Sequence, residues 1–148
     1  MLPNSQIAAL ELSYQEMLDL CDLLEGIADD LPHTDSRLCL SAADVLEPMV
    51  DTTHRLEEAV LFPMLAASNR VELKRATARL RQEHISDSST AEEVSEILRD
   101  VARGRPSLSP DAIGYLLRSF FDGMRRHIHG ERELMQLFLP PADGRASH

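Results

Sequence analysis

The sequence predicts an all-α protein, an antiparallel up-down-up-down bundle of four helices. Leu, Ala, Glu and Arg dominate the chain, which contains no Trp, and these four residue types are good helix formers. Gly and Pro lie in a few clusters instead of separating many short strands. Apolar residues recur every three or four positions over four long stretches, which is the spacing of a buried helix face.

The first predicted helix runs from about residue 5 to residue 30, and Pro32 ends it because the residue before a proline avoids the helical conformation. The segment 32–36 offers N-cap residues for the second helix, which runs to about residue 67. Pro48 lacks a backbone N–H and should kink the second helix or divide it in two. The stripe of the first helix consists of Ile7, Leu10, Tyr14, Met17, Cys21, Leu24 and Ala28.

The third predicted helix begins after Asn69, which forms a pattern resembling a capping box with Glu72. Poor helix formers fill positions 86–90, so we predict a bend or a break just after His84. Gly104 then ends the helix, in agreement with the preference for glycine after a helix C-terminus.

The fourth helix has the clearest start in the chain. Ser109 is a good N-cap, Pro110 suits the first turn and Asp111 places an acid next to it. The helix should reach about Leu139 and stop at the two prolines that follow. We therefore predict one bundle domain over residues 1–141 and a loose polar tail over 142–148.

Composition limits the classes of function. The formal net charge is −10, which disfavours nucleic acid or an anionic membrane surface as a partner. The chain has no signal-peptide pattern at its start and no apolar stretch long enough to span a bilayer. Together with only two cysteines, this predicts a soluble cytoplasmic protein. The sequence leaves open whether the protein forms a homodimer.

The segment 53–63 reads Thr-His-Arg-Leu-Glu-Glu-Ala-Val-Leu-Phe-Pro and carries a His and a Glu on an apolar helix face. His54 and Glu58 are four residues apart, so they lie on the same face of a helix. A charged residue on a buried face is costly unless a partner compensates it. The stripe consists of Leu46, Val50, His54, Glu58, Leu61 and Leu65.

The fourth helix repeats this arrangement with His127 and Glu131. Two inward pairs of His and Glu in one small chain predict a bound metal. Hydrogen bonds between His and Glu across the core are the alternative explanation. The stripe of this helix consists of Ile113, Leu117, Phe120, Met124, His127, Glu131, Leu134 and Phe138.

Each helix contributes polar residues near the middle of its stripe, and in a bundle these residues can converge. Imidazoles with carboxylates suit Fe, Mn or Zn better than Mg or Ca. Three His and two Glu exceed an ordinary zinc site and fit a pair of metals. The predicted metal ligands are Tyr14, His54, Glu58, His84, His127 and Glu131.

Two of these ligand assignments, Glu58 and Tyr14, have alternatives. Glu57 is also a neighbour of His54, but we predict that Glu57 lies at the edge of the stripe. Tyr14 either binds the metal directly or donates a hydrogen bond to a ligand. A ferric tyrosinate absorption band that is lost in Tyr14→Phe would identify direct binding.

At these residues the sequence resembles the hemerythrin-like family, the HHE cation-binding domain. The resemblance runs from about Leu10 to Phe138 and rests on three pieces: the His54 pair leading into Leu-Phe-Pro, the Gln-Glu-His run ending at His84, and the His127 pair. It implies an antiparallel four-helix bundle that holds a non-haem di-iron centre, with bridging carboxylates at the two Glu positions. Zinc or manganese is the less expected metal.

The chain departs from the family pattern because its first helix contains no His, and Tyr14 lies at or next to the expected position. This departure disfavours simple oxygen transport. The resemblance then implies a centre that handles small oxidants, namely peroxide, dioxygen or nitric oxide, and a catalase-like activity if the protein is an enzyme. The alternatives are a redox sensor or iron-storage module that acts through a partner, and a structural bundle that holds zinc or no metal.

Overall fold

The computed structural model describes residues 4–137, which form four α-helices and no strand. The helices are α1 (Asn4–Asp30), α2 (Ser36–Ala66), α3 (Val71–Ala102) and α4 (Pro110–Gln136). α1 packs against α2 and α4, and α3 packs against the same two helices from the other side. Short connections make consecutive helices antiparallel. The predicted all-α four-helix bundle is confirmed.

The helix ends follow the predicted capping residues at three places. The Asp35 side chain accepts a hydrogen bond from the backbone N–H of Arg37 and caps α2. Ser109 caps α4 in the same way, by accepting from the N–H of Ala112. Gly104 follows α3 with a φ of 70°, a left-handed conformation that glycine adopts without steric cost.

Three local predictions are wrong in whole or in part. α2 continues through Pro48, so this proline does not divide the helix, and the alternative of a kink stays a prediction. α3 does not break after His84, because its most extensive packing is against α2 and tertiary packing outweighs weak local propensity; a bend there also stays a prediction. The N-cap of α3 is Arg70, which has no side-chain cap bond, so Asn69 does not form the predicted capping box.

The predicted end of the fourth helix near Leu139 lies outside the described residues, as do the two prolines after it and the tail over 142–148. Within the described part of the chain, α4 ends at Gln136.

The core fills the space between the four helices. The predicted stripe of α1 is buried from Leu10 to Ala28, and both Cys21 and Cys39 are buried free thiols. Burial raises the pKa of Cys21 to about 12, so this thiol stays protonated near neutral pH. Among the described helices, none combines the length and the apolar character that a bilayer crossing requires.

Phe121→Ala tests whether packing of α4 onto the other helices supports the bundle. Phe121 is buried, so its truncation should lower the free energy of unfolding by about 3–5 kcal/mol. The control is Tyr115→Ala on the same helix, where the side chain is exposed and the change should stay within about 0.5 kcal/mol. Denaturant unfolding followed by far-UV circular dichroism measures both. Equal losses in the two variants would contradict the packing described here.

Candidate metal centre

Four side chains from three helices converge in the middle of the bundle. α2 provides Glu57, α3 provides His84, and α4 provides His127 and Glu131. Each offers one ligand atom, and these atoms all lie within 4.8 Å of one another. The two carboxylates are almost completely buried, with exposed fractions of 0% for Glu57 and 1% for Glu131.

The remaining helix, α1, reaches the same point through Tyr14. Its hydroxyl lies 2.7 Å from Oε2 of Glu57 and 2.8 Å from Oε2 of Glu131. Burial and the adjacent Glu57 carboxylate raise the pKa of the Tyr14 phenol. The phenol is therefore protonated, and the two carboxylates share its single proton, which holds them next to each other.

Both imidazoles point their Nε2 atoms inward and their Nδ1 atoms toward an outer carboxylate. In His84, Nε2 lies 2.7 Å from Oε1 of Glu57 and Nδ1 lies 3.2 Å from Oε2 of Glu58. In His127, Nδ1 lies 3.0 Å from Oε1 of Glu83, and Nε2 contacts Oε1 of Glu131. A metal-binding His is commonly oriented in this way, with its second nitrogen donating to a carboxylate.

The ionisation of the cluster follows from these contacts. Burial alone would raise the pKa of Glu57. Hydrogen bonds and charge from His127 and His84 outweigh burial and lower this pKa to about 2. Burial lowers the pKa of each imidazole, but Glu57 and the other nearby carboxylates together leave it above its usual value. Glu57 is therefore held as an anion, and a cation that binds the imidazoles would displace protons from them.

Two atoms of the cluster point to a cation. His127 Nε2 and Glu131 Oε1 are both fully buried and contact each other, but within residues 4–137 neither makes a hydrogen bond of acceptable geometry. Buried polar atoms without partners are costly and rare in folded proteins. A cation bound between the imidazole and the carboxylate would satisfy both atoms. The residues present therefore fit a metal ion.

Of the six predicted ligands, the structure brings His84, His127 and Glu131 together. The prediction that Glu58 faces inward and Glu57 lies at the edge is wrong. Glu57 is fully buried, whereas 54% of the Glu58 side chain is exposed. Glu58 instead accepts a hydrogen bond from His84 Nδ1 on the outer side of the ring.

The rotation of the helix explains why sequence reasoning missed Glu57. Each step of four residues overshoots a full turn by about 40°, so three such steps from Leu46 to Glu58 rotate the side chain by about 120°. Glu57 lies eleven residues after Leu46, which returns it to within about 20° of the same direction. Thr53, seven residues after Leu46, is on this line and is buried as well. Counting whole turns would have identified both residues.

His54 is buried next to the cluster but outside the group of four. Its ring stacks on His84 with 3.9 Å between the centroids and an angle of 8° between the planes. Its Nδ1 lies 3.4 Å from Oγ of Ser88, and its Nε2 lies 3.9 Å from Oδ2 of Asp87. Burial and the neighbouring His84 lower the pKa of His54 to about 4, so its ring is neutral near neutral pH.

Tyr14 contacts the two carboxylates of the group through its hydroxyl. Direct binding of a metal by Tyr14, by His54 or by Glu58 stays a prediction.

A four-helix bundle with a buried cluster of His and Glu at its centre defines a helical metal-binding protein. The model of the hemerythrin HHE cation binding domain matches residues 6–138 of this sequence. The chain belongs to this family, as its two His and Glu pairs predicted. Neither a search of curated proteins nor a search of solved structures returns a match.

Glu57→Gln tests the assignment of the buried carboxylate. It removes the anion but keeps the side-chain shape, so affinity for a divalent cation should fall by more than about tenfold. The matched control is Glu58→Gln on the adjacent, exposed residue, where the loss should be smaller. Competition with a colorimetric chelator measures both affinities. A larger loss in Glu58→Gln than in Glu57→Gln would contradict the assignment.

Proposed function

We propose that this protein binds iron through Glu57, His84, His127 and Glu131 and uses it to handle small oxidants, namely peroxide, dioxygen or nitric oxide. The observation that carries the proposal is the position of this buried cluster at the inner end of an open groove between α3 and α4. His127 and Glu131 belong to the cluster and also line the groove.

The donor set supports iron. Two imidazoles and two carboxylates, without a thiolate, form a mixed nitrogen and oxygen set that suits iron, manganese or zinc. Zinc sites with four protein ligands are usually closed and structural. Here the two ligands of α4 line an open groove, which supports a reactive metal and makes zinc or manganese the second choice.

The groove has a volume of about 1170 Å³. It exists because α3 and α4 make the least extensive contact of the four neighbouring helix pairs. Its deeper wall is apolar and includes Leu80, Phe120 and Met124, all of which are largely buried. Such a wall admits small uncharged molecules and limits the number of water molecules that accompany them.

The charges along the groove support the same class of ligand. Its acidic lining residues outnumber its two basic ones, so the local field disfavours anions. The acidic residues are Glu83, Asp87, Glu93, Glu131 and Glu133, and the basic residues are Arg79 and Arg126. Hydrogen peroxide, dioxygen and nitric oxide carry no charge and are not repelled.

The residues of the chain have distinct roles in this proposal. Glu58 and Glu83 accept hydrogen bonds from the outer nitrogens of His84 and His127 and fix the direction of the inner ones. Tyr14 holds the two carboxylates together. When bound, iron supplies Lewis acidity and one-electron redox chemistry.

The partners proposed for the protein are therefore small molecules. The formal net charge of −10 supports this and disfavours nucleic acid and anionic membrane surfaces.

His127→Ala tests the proposal against His129→Ala, an exposed His two residues along the same helix. The wild-type protein and His129→Ala should contain iron after anaerobic loading with Fe(II), and both should consume added hydrogen peroxide. His127→Ala should lose most of the iron and the consumption. Elemental analysis and a peroxide electrode measure the two quantities.

Iron-loaded His127→Ala with unchanged consumption would refute the proposal. Wild-type protein that binds iron, changes its visible spectrum with the oxidant and yet consumes none would favour the alternative of a redox sensor or storage module.

Gly123→Leu tests the groove as the entrance. Gly123 lines the groove, and a Cβ added there meets only the Arg126 guanidinium, at 3.8 Å, so a larger side chain should narrow the groove without unfolding the helix. The rate of reaction of the iron-loaded protein with peroxide should fall several-fold, while the iron content stays constant. The control is Gly26→Leu on α1, where a Cβ meets nothing within 4 Å. An unchanged rate in Gly123→Leu would exclude this entrance.

A further inference from the structure

We infer that the centre holds one metal ion per chain and not two, and that hydroxyl groups of Ser13, Tyr14 and Thr53 take the place where ligands of a second ion would have to lie. The inference rests on the same metal-binding cluster as the proposed function, but it concerns the number of ions and does not require any reaction.

The number of inward ligands is the first argument. Within residues 4–137, the only group of at least three His, Cys, Asp or Glu side chains with converging ligand atoms is the one formed by Glu57, His84, His127 and Glu131. A metal site of this type uses three or four protein ligands for one ion. The di-iron centres of ferritin-like bundles, for comparison, use six inward side chains, four Glu and two His. Four side chains complete one site and not a pair.

The orientation of the carboxylates is the second argument. A carboxylate that bridges two ions gives one oxygen to each of them. Glu57 directs Oε1 to His84, and Glu131 directs Oε1 to His127. The Oε2 atoms of both residues share the single proton of the Tyr14 hydroxyl, at oxygen–oxygen distances of 2.7 and 2.8 Å, and Glu57 Oε2 also lies 3.6 Å from Nε2 of His127. The phenol of α1 therefore occupies the side of the carboxylates on which a second ion would bind.

The third argument compares the two helices that carry the carboxylates. On α4, the residue one turn before Glu131 is His127, which supplies an imidazole. On α2, the residue one turn before Glu57 is Thr53, which supplies only a hydroxyl. This hydroxyl is buried, lies 2.6 Å from Oγ of Ser13, and donates to the carbonyl of Met49 at 2.9 Å. Its hydrogen-bonding capacity is thus used inside the protein.

The remaining imidazole does not compensate for this difference. His54 lies on the α3 side of α2, stacked on His84, and its two nitrogens face Ser88 and Asp87. Together with the absence of His from α1, this leaves the side of the cluster formed by α1 and α2 with hydroxyl groups only.

Titration of the metal-free full chain with Co(II), followed by visible absorption and by native mass spectrometry, measures the number of ions directly. We expect an end point at one equivalent, and one iron per chain after separate loading with Fe(II). An end point at two equivalents would overturn the inference and leave the proposed function intact. No binding of either metal would overturn both.

A gain of binding tests the role of the hydroxyls. The double variant Tyr14→His with Thr53→His adds one imidazole at the position that contacts the two Oε2 atoms and one a helical turn before Glu57, and its end point should rise from one equivalent to two. The matched control is Tyr14→Phe with Thr53→Val, which removes the hydroxyls without adding ligands and should stay at one. A folded His variant that still binds a single ion would contradict the role given to the hydroxyls, and the wild-type titration remains decisive if the variant does not fold.

Discussion

Two carboxylates buried side by side are the constraint on which the rest of the structure depends. Glu57 and Glu131 come from α2 and α4, which face each other across the bundle, and almost no water reaches either. An unpaired carboxylate in such a place costs several kcal/mol. α1 provides a phenol on one side of the pair, and α3 provides the imidazole of His84 on the other. The cluster can form only when all four helices pack at the correct height, so the site and the fold require each other.

The sequence was sufficient to predict the fold because each helix carries a continuous apolar stripe and most helix ends carry a recognisable capping residue. It failed where local propensity and tertiary packing disagree. The run of Ser, Asp and Thr at 86–90 is a poor helix former, and a break was predicted there. In the structure this run lies within α3, which packs along the length of α2, and the hydroxyl of Thr90 donates back to the carbonyl of Ser86. Contacts with another helix are invisible to a local propensity argument.

The inward-facing carboxylate was predicted correctly on α4 and incorrectly on α2, and the difference has a geometric cause. The stripe of α4 was read in alternating steps of three and four residues, which keep a constant direction on a helix of 3.6 residues per turn. The stripe of α2 was read in successive steps of four, so the error grew until Glu58 replaced Glu57. The role of Tyr14 could not be derived from sequence at all, because its two partners lie on α2 and α4, far away along the chain.

The two sides of the cluster differ: the side toward α1 is closed by packed side chains, and the side toward α3 and α4 faces the groove. Toward α1 the carboxylates meet the Tyr14 hydroxyl, and the hydroxyls of Ser13 and Thr53 are buried and bonded to each other. Toward α3 and α4 they meet imidazoles, and the weaker contact between these two helices leaves the groove. Hydrogen bonds on the closed side keep the carboxylates in place whether or not a cation is bound, so binding requires little rearrangement. Under the proposed function, small ligands exchange on the open side, where the carboxylates of Glu58 and Glu83 contact the outer nitrogens of the two imidazoles. A site built in this way combines a rigid set of ligands with a single direction of approach.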